Sequence, residues 1–212
     1  MEINWLGHAC IRLKGRQTTV LIDPYPPELG RTLAKLTADV LLVTHDHPGH
    51  SYVQALAGRP YTVSSPGEYE VGEVIISGFS TFHDAEQGAR RGRNTVYLVE
   101  IDEIRVVHLG DLAHLLEDDI VESLGAVDCL MVPVGGHDTM DAAQAAELVR
   151  EVGPKVVIPI HYLVPELSAQ LDPLDRFLKE MAKEQVEPQA KLVLNSSPAG
   201  EETRLVVLEI SR

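Results

Sequence analysis

Three histidines stand within the stretch Thr44-His45-Asp46-His47-Pro48-Gly49-His50. A neutral imidazole carries a free lone pair and is the commonest metal-ligating side chain. Several imidazoles held about 2 Å from one ion make a metal site. The competing reading is a polar surface turn that happens to be rich in histidine. His83, Asp111 and His161 weigh against it, because they add donors of the same chemistry further along the chain.

The elements that must position these residues are legible. The apolar run Val40-Leu41-Leu42-Val43 reads as a buried strand, and Pro48-Gly49 excludes regular structure, so the histidines belong to a loop at a strand's C-terminal end. His83 follows an alternating run over 70–82. Asp111 follows the second arm of a hairpin, 95–101 and 104–109, that turns at Asp102-Glu103. His161 follows the apolar strand 155–160. All six donors thus fall at or just past strand ends, where α/β folds build their sites. Six are too many for one tetrahedral ion and suit two ions sharing a carboxylate. Strand parity separates His108 from Asp111, since residues three apart face opposite ways. His108 is therefore expected to be packed or hydrogen-bonded within a layer.

The other expected strands are 2–6, 9–13, 18–23, 61–64, 128–134, 191–195 and 204–210. Helices are expected over 28–36, 51–57 (capped by Ser51), 117–124, 141–151 and about 173–185. No linker or low-complexity tract divides the chain, so residues 1–212 read as a single domain.

The 212 residues carry a formal net charge of -14. That balance argues against nucleic acid and anionic membrane as partners, since both require a basic face. The apolar runs are too short to span a bilayer, and the first residues lack the pattern of a signal peptide, so a cytoplasmic location is expected. Cys10 and Cys129 lie in apolar segments and read as buried core thiols, not a disulfide. Arg90, Arg91 and Arg93 sit in a polar loop over 85–93. They read as a solvated loop or as a positive lip that would attract an anionic substrate.

The series Trp5-Leu6-Gly7-His8, Asp23-Pro24, Thr44 to His50, His83, Gly110-Asp111 and Ile160-His161-Tyr162 resembles the metallo-β-lactamase superfamily. It is most similar to the compact hydrolases related to ascorbate-6-phosphate lactonase. The resemblance covers nearly the whole chain, with the motifs in order. It implies an αββα sandwich of two mixed β-sheets flanked by helices, with the site along one edge. It also implies His45, His47 and His83 as ligands of a first metal, His50 and His161 as ligands of a second, and Asp111 as the bridge. Asp111, His50 and His161 would be the catalytic group, and a metal-bound hydroxide would attack a small ester, lactone or phosphorylated metabolite. Zn2+, one ion or two, is the default, and Mn2+ or Fe would also be accepted by such ligands.

One position departs from the family pattern. Relatives read His-x-His-x-Asp-His, and Gly49 stands where that aspartate belongs. Glycine cannot ligate, so a filled first site and a weaker second one are expected. His137 reads as a compensating donor or as a loop histidine on the rim. His8 reads as a substrate-facing or ligand-supporting residue or a packed one. Asp23 reads as structural, or as the acceptor that orients a ligating imidazole. His114 reads as a rim or substrate residue, and Tyr162 as an oxyanion donor or a packed ring. Electron transfer fits less well, because diiron relatives carry Glu where His47 stands. The reading from a different class is a non-catalytic metal-binding or assembly protein with a degenerate second site. The oligomeric state is left open.

Overall fold

Alternating and continuous apolar runs assemble into two sheets in the computed structural model, which describes residues 1–200 and 202–211. The first sheet has the order β12 (Leu192–Val193), β1 (Glu2–Gly7), β2 (Cys10–Lys14), β3 (Thr19–Ile22), β4 (Val40–Leu42), β5 (Tyr61–Val63). Its β12-β1-β2-β3 pairings are antiparallel, and β3-β4-β5 is parallel. The second sheet has the order β13 (Arg204–Leu205), β11 (Val156–Ile160), β10 (Cys129–Pro133), β9 (Ile104–His108), β8 (Arg93–Ile101), β7 (Val74–Phe82), β6 (Gly67–Val71). There the β6-to-β9 part is antiparallel and the β9-β10-β11-β13 part is parallel. Both sheets are mixed, as expected for the α/β sandwich.

Residues of both sheets share one apolar cluster, among them Ile3, Trp5, Ile11, Ile76, Val99 and Ile158. Full burial of each such aliphatic side chain contributes about 1.5–3 kcal/mol. Cys10 and Cys129 are buried in it as free thiols. Polar ties then fix one edge of the first sheet against the second. Thr95 N donates to Thr44 O at 2.8 Å, and His161 N to His8 O at 3.0 Å. Tyr97 Oη donates to Val43 O at 3.2 Å, and His108 Nε2 pairs with Ala9 O at 2.9 Å. This stitched edge carries the candidate site.

The described residues form three α-helices, α1 (Asp118–Leu124), α2 (Ala142–Val152) and α3 (Leu174–Glu180). In α2 the Asp141 carboxylate accepts from Gln144 N while the Gln144 side chain accepts from Asp141 N, a complete capping box. Gly153, at φ 59°, ends the helix in the left-handed conformation. No helix among the described residues is long and apolar enough to cross a membrane.

Two expected helices are absent. Over 28–36 the chain makes only a 3-10 turn, Pro27–Leu29, closed by Gly30 at φ 106°. Leu29 O instead accepts from Ser168 N at 2.8 Å. Over 51–57 there is only a 3-10 turn, Val53–Ala55. Ser51 Oγ donates back to His47 O instead of capping a helix. Leu36 and Leu56 then pair as an isolated bridge, so these two segments satisfy their backbone groups partly on each other. The run over 70–82 divides into β6 and β7 through a turn at Gly72-Glu73, with Gly72 at φ 62°. The last two strands are shorter than expected, and single bridges such as Trp5 to Ile210 replace the missing ladder.

Candidate metal centre

Six strand ends deliver the site: His8 after β1, Asp23 after β3, His45 to His50 after β4, His83 after β7, Asp111 after β9 and His161 after β11. Three of these residues hold a left-handed backbone, His8 at φ 53°, Asp23 at φ 49° and His161 at φ 52°. A non-glycine residue there costs about 1–3 kcal/mol unless its surroundings hold it. Such strain collects where a strand must turn sharply to aim a side chain. Gly110, at φ 60°, makes the same turn just before Asp111, and a Cβ there would strike Asn94 and Thr44.

Asp111 is the hub. Its Oδ2 lies 3.0 Å from His50 Nε2, 3.2 Å from His83 Nε2 and 3.7 Å from His45 Nε2. Its Oδ1 lies 3.5 Å from His161 Nε2. All five residues are buried. Ligands about 2.1 Å from one zinc ion at tetrahedral angles stand about 3.4 Å apart, so these separations are those of donors around a cation. His45 Nε2, His50 Nε2 and Asp111 Oδ1 are buried without any hydrogen-bond partner. Each buried orphan costs about 1–3 kcal/mol, so several converging ones call for an explanation. A divalent cation supplies it, and the imidazole-and-carboxylate donor set fits one. Three groups have donor atoms mutually within 4.8 Å: His45-His83-Asp111, His45-His47-His50 and His8-His50-His161.

Asp23, fully buried, sets which nitrogens are free. Its Oδ1 accepts from Thr44 N at 2.8 Å, and its Oδ2 from Thr44 Oγ1 at 2.6 Å. Oδ2 also faces His50 Nδ1 at 2.9 Å. Because the Thr44 hydroxyl donates to Asp23, it accepts from His45 Nδ1 at 2.9 Å. The network therefore places a proton on Nδ1 of both His45 and His50 and leaves their Nε2 atoms facing Asp111. This is the contact that the orienting alternative for Asp23 requires. Asn94, fully buried, holds the other side. Its amide donates to Thr81 Oγ1 and Leu109 O, and its carbonyl accepts from Asp111 N at 3.1 Å. Thr44 and Asn94 escaped the sequence reading. A hydroxyl beside the first histidine and an amide inside an apolar strand were the available signals.

The electrostatics follow burial and charge. Desolvation, reinforced by neighbouring imidazoles, lowers His45 to about 3. Desolvation likewise lowers His161 to about 4 and puts His8 well below the ordinary range, so these lone pairs are free at neutral pH. For Asp111, burial works upward, but His161 and His50 outweigh it and hold the carboxyl well below its usual range. For His50, burial works downward, yet Asp111 and Asp23 together push it up to about 10. Ligation at His50 Nε2 requires that proton to leave, as metal binding to imidazole does.

The remaining candidates part company. His47 is exposed, and its Nδ1 accepts from Gly49 N at 3.2 Å, which puts the proton on Nε2. Its ring lies closer to His45 (5.8 Å) and His50 (5.9 Å) than to His83 (6.3 Å). It therefore does not close a compact set with His45 and His83 in this arrangement. His114 is no rim group: its Nε2 accepts from Phe82 N and its Nδ1 donates to Leu115 O. His137 sits outside all three donor groups and faces Asp172 at 3.8 Å, so it does not replace the side chain missing at Gly49. Tyr162 packs on Trp5 at 5.0 Å between ring centroids, so the packed alternative holds. Asp46 points outward and is exposed.

Asp84 organises the arginine loop. Its carboxylate accepts from the backbone N–H groups of Glu86, Gly88, Arg90 and Arg91. Desolvation works upward on this carboxyl, and the four N–H groups reverse it, to about 2. Of the three arginines, Arg91 lines the cavity over the donors and pairs with Asp138, while Arg90 pairs with Glu86. The cavity over the donors holds about 350 Å³, the size of a small molecule. Its floor is His8, His50, His83, Asp111 and His161, and Leu29, Pro48 and Leu171 form apolar wall.

Comparison with known proteins places this geometry in context. The pattern of the β-lactamase superfamily domain matches residues 2–161. A UPF0173 protein of Pyrococcus furiosus is 32% identical over 209 residues, covering 88% of this chain and 93% of its own. A UPF0173 metal-dependent hydrolase of Methanoregula boonei is 31% identical over 185 residues, covering 76% of this chain and 83% of its own. A crystal structure from Thermotoga maritima, described as that of a candidate Zn-dependent hydrolase of the metallo-β-lactamase superfamily, aligns with a TM-score of 0.80 at 34% identity. That alignment covers 98% of this chain and 99% of the other.

Proposed function

The chain belongs to the metallo-β-lactamase superfamily, and on that premise we propose that it hydrolyses a small ester, lactone or phosphorylated metabolite at a zinc-dependent centre. The observation that carries this reading is the convergence of buried, unpartnered His45, His50 and Asp111 donor atoms, with His50 and Asp111 on the floor of a small-molecule cavity. A bound divalent cation supplies a water acidified to a pKa of roughly 7 and an electrophile for the scissile carbonyl or phosphoryl oxygen. His45 and His83 would hold a first ion, with His47 as the further donor that the family resemblance implies, and His50 and His161 would serve a second, with Asp111 common to both. Asp23 and Thr44 keep the imidazole lone pairs aimed inward, and Asn94 fixes the backbone of Asp111.

The cavity supports a small substrate, and Arg91 at its wall supports an anionic one. A net charge of -14 supports a partner other than nucleic acid or anionic membrane. A cytoplasmic setting agrees with two free buried thiols. The second reading, a non-catalytic metal-binding protein, draws on Gly49 and the exposed His47. One experiment separates the two. Purified protein is assayed on generic esters, lactones and phosphodiesters before and after chelation, with metal content measured in parallel. Hydrolysis that disappears with the metal and returns with Zn2+ is the expected result. Bound metal with no hydrolysis of any probe would favour the non-catalytic reading.

A further inference from the structure

Gly49 lacks a side chain, and the space in front of its Cα is filled by another residue's ring. A Cβ built there would stand 3.1 Å from His8 Nε2 and 3.3 Å from His47 Nδ1. Those distances are tighter than ordinary van der Waals contact, so a side chain at 49 would require the His8 and His47 rings to give by a few tenths of an ångström. The His8 imidazole thus stands against the face that Gly49 leaves bare.

We propose that His8 is a ligand of the second metal ion, completing a three-histidine set with His50 and His161 and taking the place of a donor from position 49. The proposal rests on the metal-centre reading above. Each of the three histidines offers one ring nitrogen, and these atoms lie within 4.8 Å of one another. All three residues are buried. The His8 ring lies 4.3 Å from that of His161 and 4.8 Å from that of His50. Its Nδ1 is buried without a hydrogen-bond partner, as are the Nδ1 atoms of His83 and His161.

The backbone explains the placement. His8 O accepts from Trp5 Nε1 at 2.9 Å and from His161 N at 3.0 Å. The first bond fixes the turn after β1 and the second clamps the end of β1 to the end of β11, with both His8 and His161 in the left-handed conformation. The ring is thus positioned through its main chain while its side-chain nitrogens are left uncommitted. Exchanging a carboxylate for an imidazole also alters the metal preference. A set of three neutral nitrogens sharing one carboxylate suits zinc better than manganese or magnesium, which favour oxygen.

The test is metal stoichiometry and affinity, read without any assay of activity. Metal-free wild-type protein is titrated with Zn2+ against a chelating indicator, and bound zinc is counted by elemental analysis. Two ions per chain are expected, falling to one in His8→Ala. Loss of a supporting partner alone weakens binding about 10–100-fold, so loss of a direct ligand should weaken the second ion by at least about 100-fold. The double variant His8→Ala/Gly49→Asp should regain the second ion, because the ring's place becomes free for the carboxylate. In parallel, imidazole nitrogen NMR follows His8 in the wild-type chain, so the folding of a variant is not at issue. A ring nitrogen of His8 should shift with the second equivalent of zinc and not the first. Two ions retained at unchanged affinity in His8→Ala overturn the proposal, as does a His8 signal that stays still through both equivalents. A wild-type chain that takes up one ion also overturns it while leaving the metal centre standing. Uptake of no ion would bring down the metal-centre reading itself.

Discussion

His50 and His108 are both fully buried at the same stitched edge, yet their ring nitrogens have opposite fates. His108 spends both on the protein frame. Its Nε2 donates to Ala9 O at 2.9 Å across the two sheets, and its Nδ1 accepts from Gly110 N at 3.0 Å. His50 commits only Nδ1, to Asp23, and turns Nε2 toward Asp111 at 3.0 Å in an alignment that makes no hydrogen bond. His114 repeats the pattern of His108, with both nitrogens bonded to nearby backbone. Residue type and strand-end position are therefore shared by ligand candidates and by structural histidines. What separates them is whether the surrounding chain leaves a ring nitrogen uncommitted.

The strongest test of that distinction is Asp111→Asn. It removes the one anion facing four imidazoles and should weaken zinc binding by more than about 100-fold, beyond the range for supporting partners. Competition with a chelator measures it, and unchanged affinity would mean that unspent nitrogens do not mark ligands here.

Asp23→Asn sharpens the comparison one step away from the donors. If the amide N–H₂ replaces Oδ2, it meets the Thr44 hydroxyl and His50 Nδ1, both of which now donate. His50 is then pressed toward the tautomer with its proton on Nε2, and the lone pair facing Asp111 is lost. Zinc affinity should fall by about 10–100-fold, with the folded chain retained by circular dichroism.

His108→Ala should act on the opposite side of the comparison. It breaks a cross-sheet hydrogen bond and orphans Ala9 O and Gly110 N, at a cost of about 1–3 kcal/mol in urea unfolding. Zinc affinity should stay within a few-fold of wild type. A large loss of metal with little loss of stability would place His108 among the metal-supporting residues and dissolve the division.

Much of this protein was determined by sequence alone. Local patterns carried it: apolar runs made strands, Pro-Gly pairs ended them, and His45, His50, His83, Asp111 and His161 fell just past those ends. Alternation within a strand was enough to set His108 apart from Asp111. Tertiary structure decided the rest. It dissolved two expected helices, because segments 28–36 and 51–57 met partners distant in sequence. It drew the arginine loop around Asp84. It brought His8 onto His161, Asp23 onto His50, and the His8 ring into the space that Gly49 leaves open. The physical reason is the same in each case. A strand end is a property of neighbouring residues, whereas a free lone pair depends on every group that surrounds it after folding.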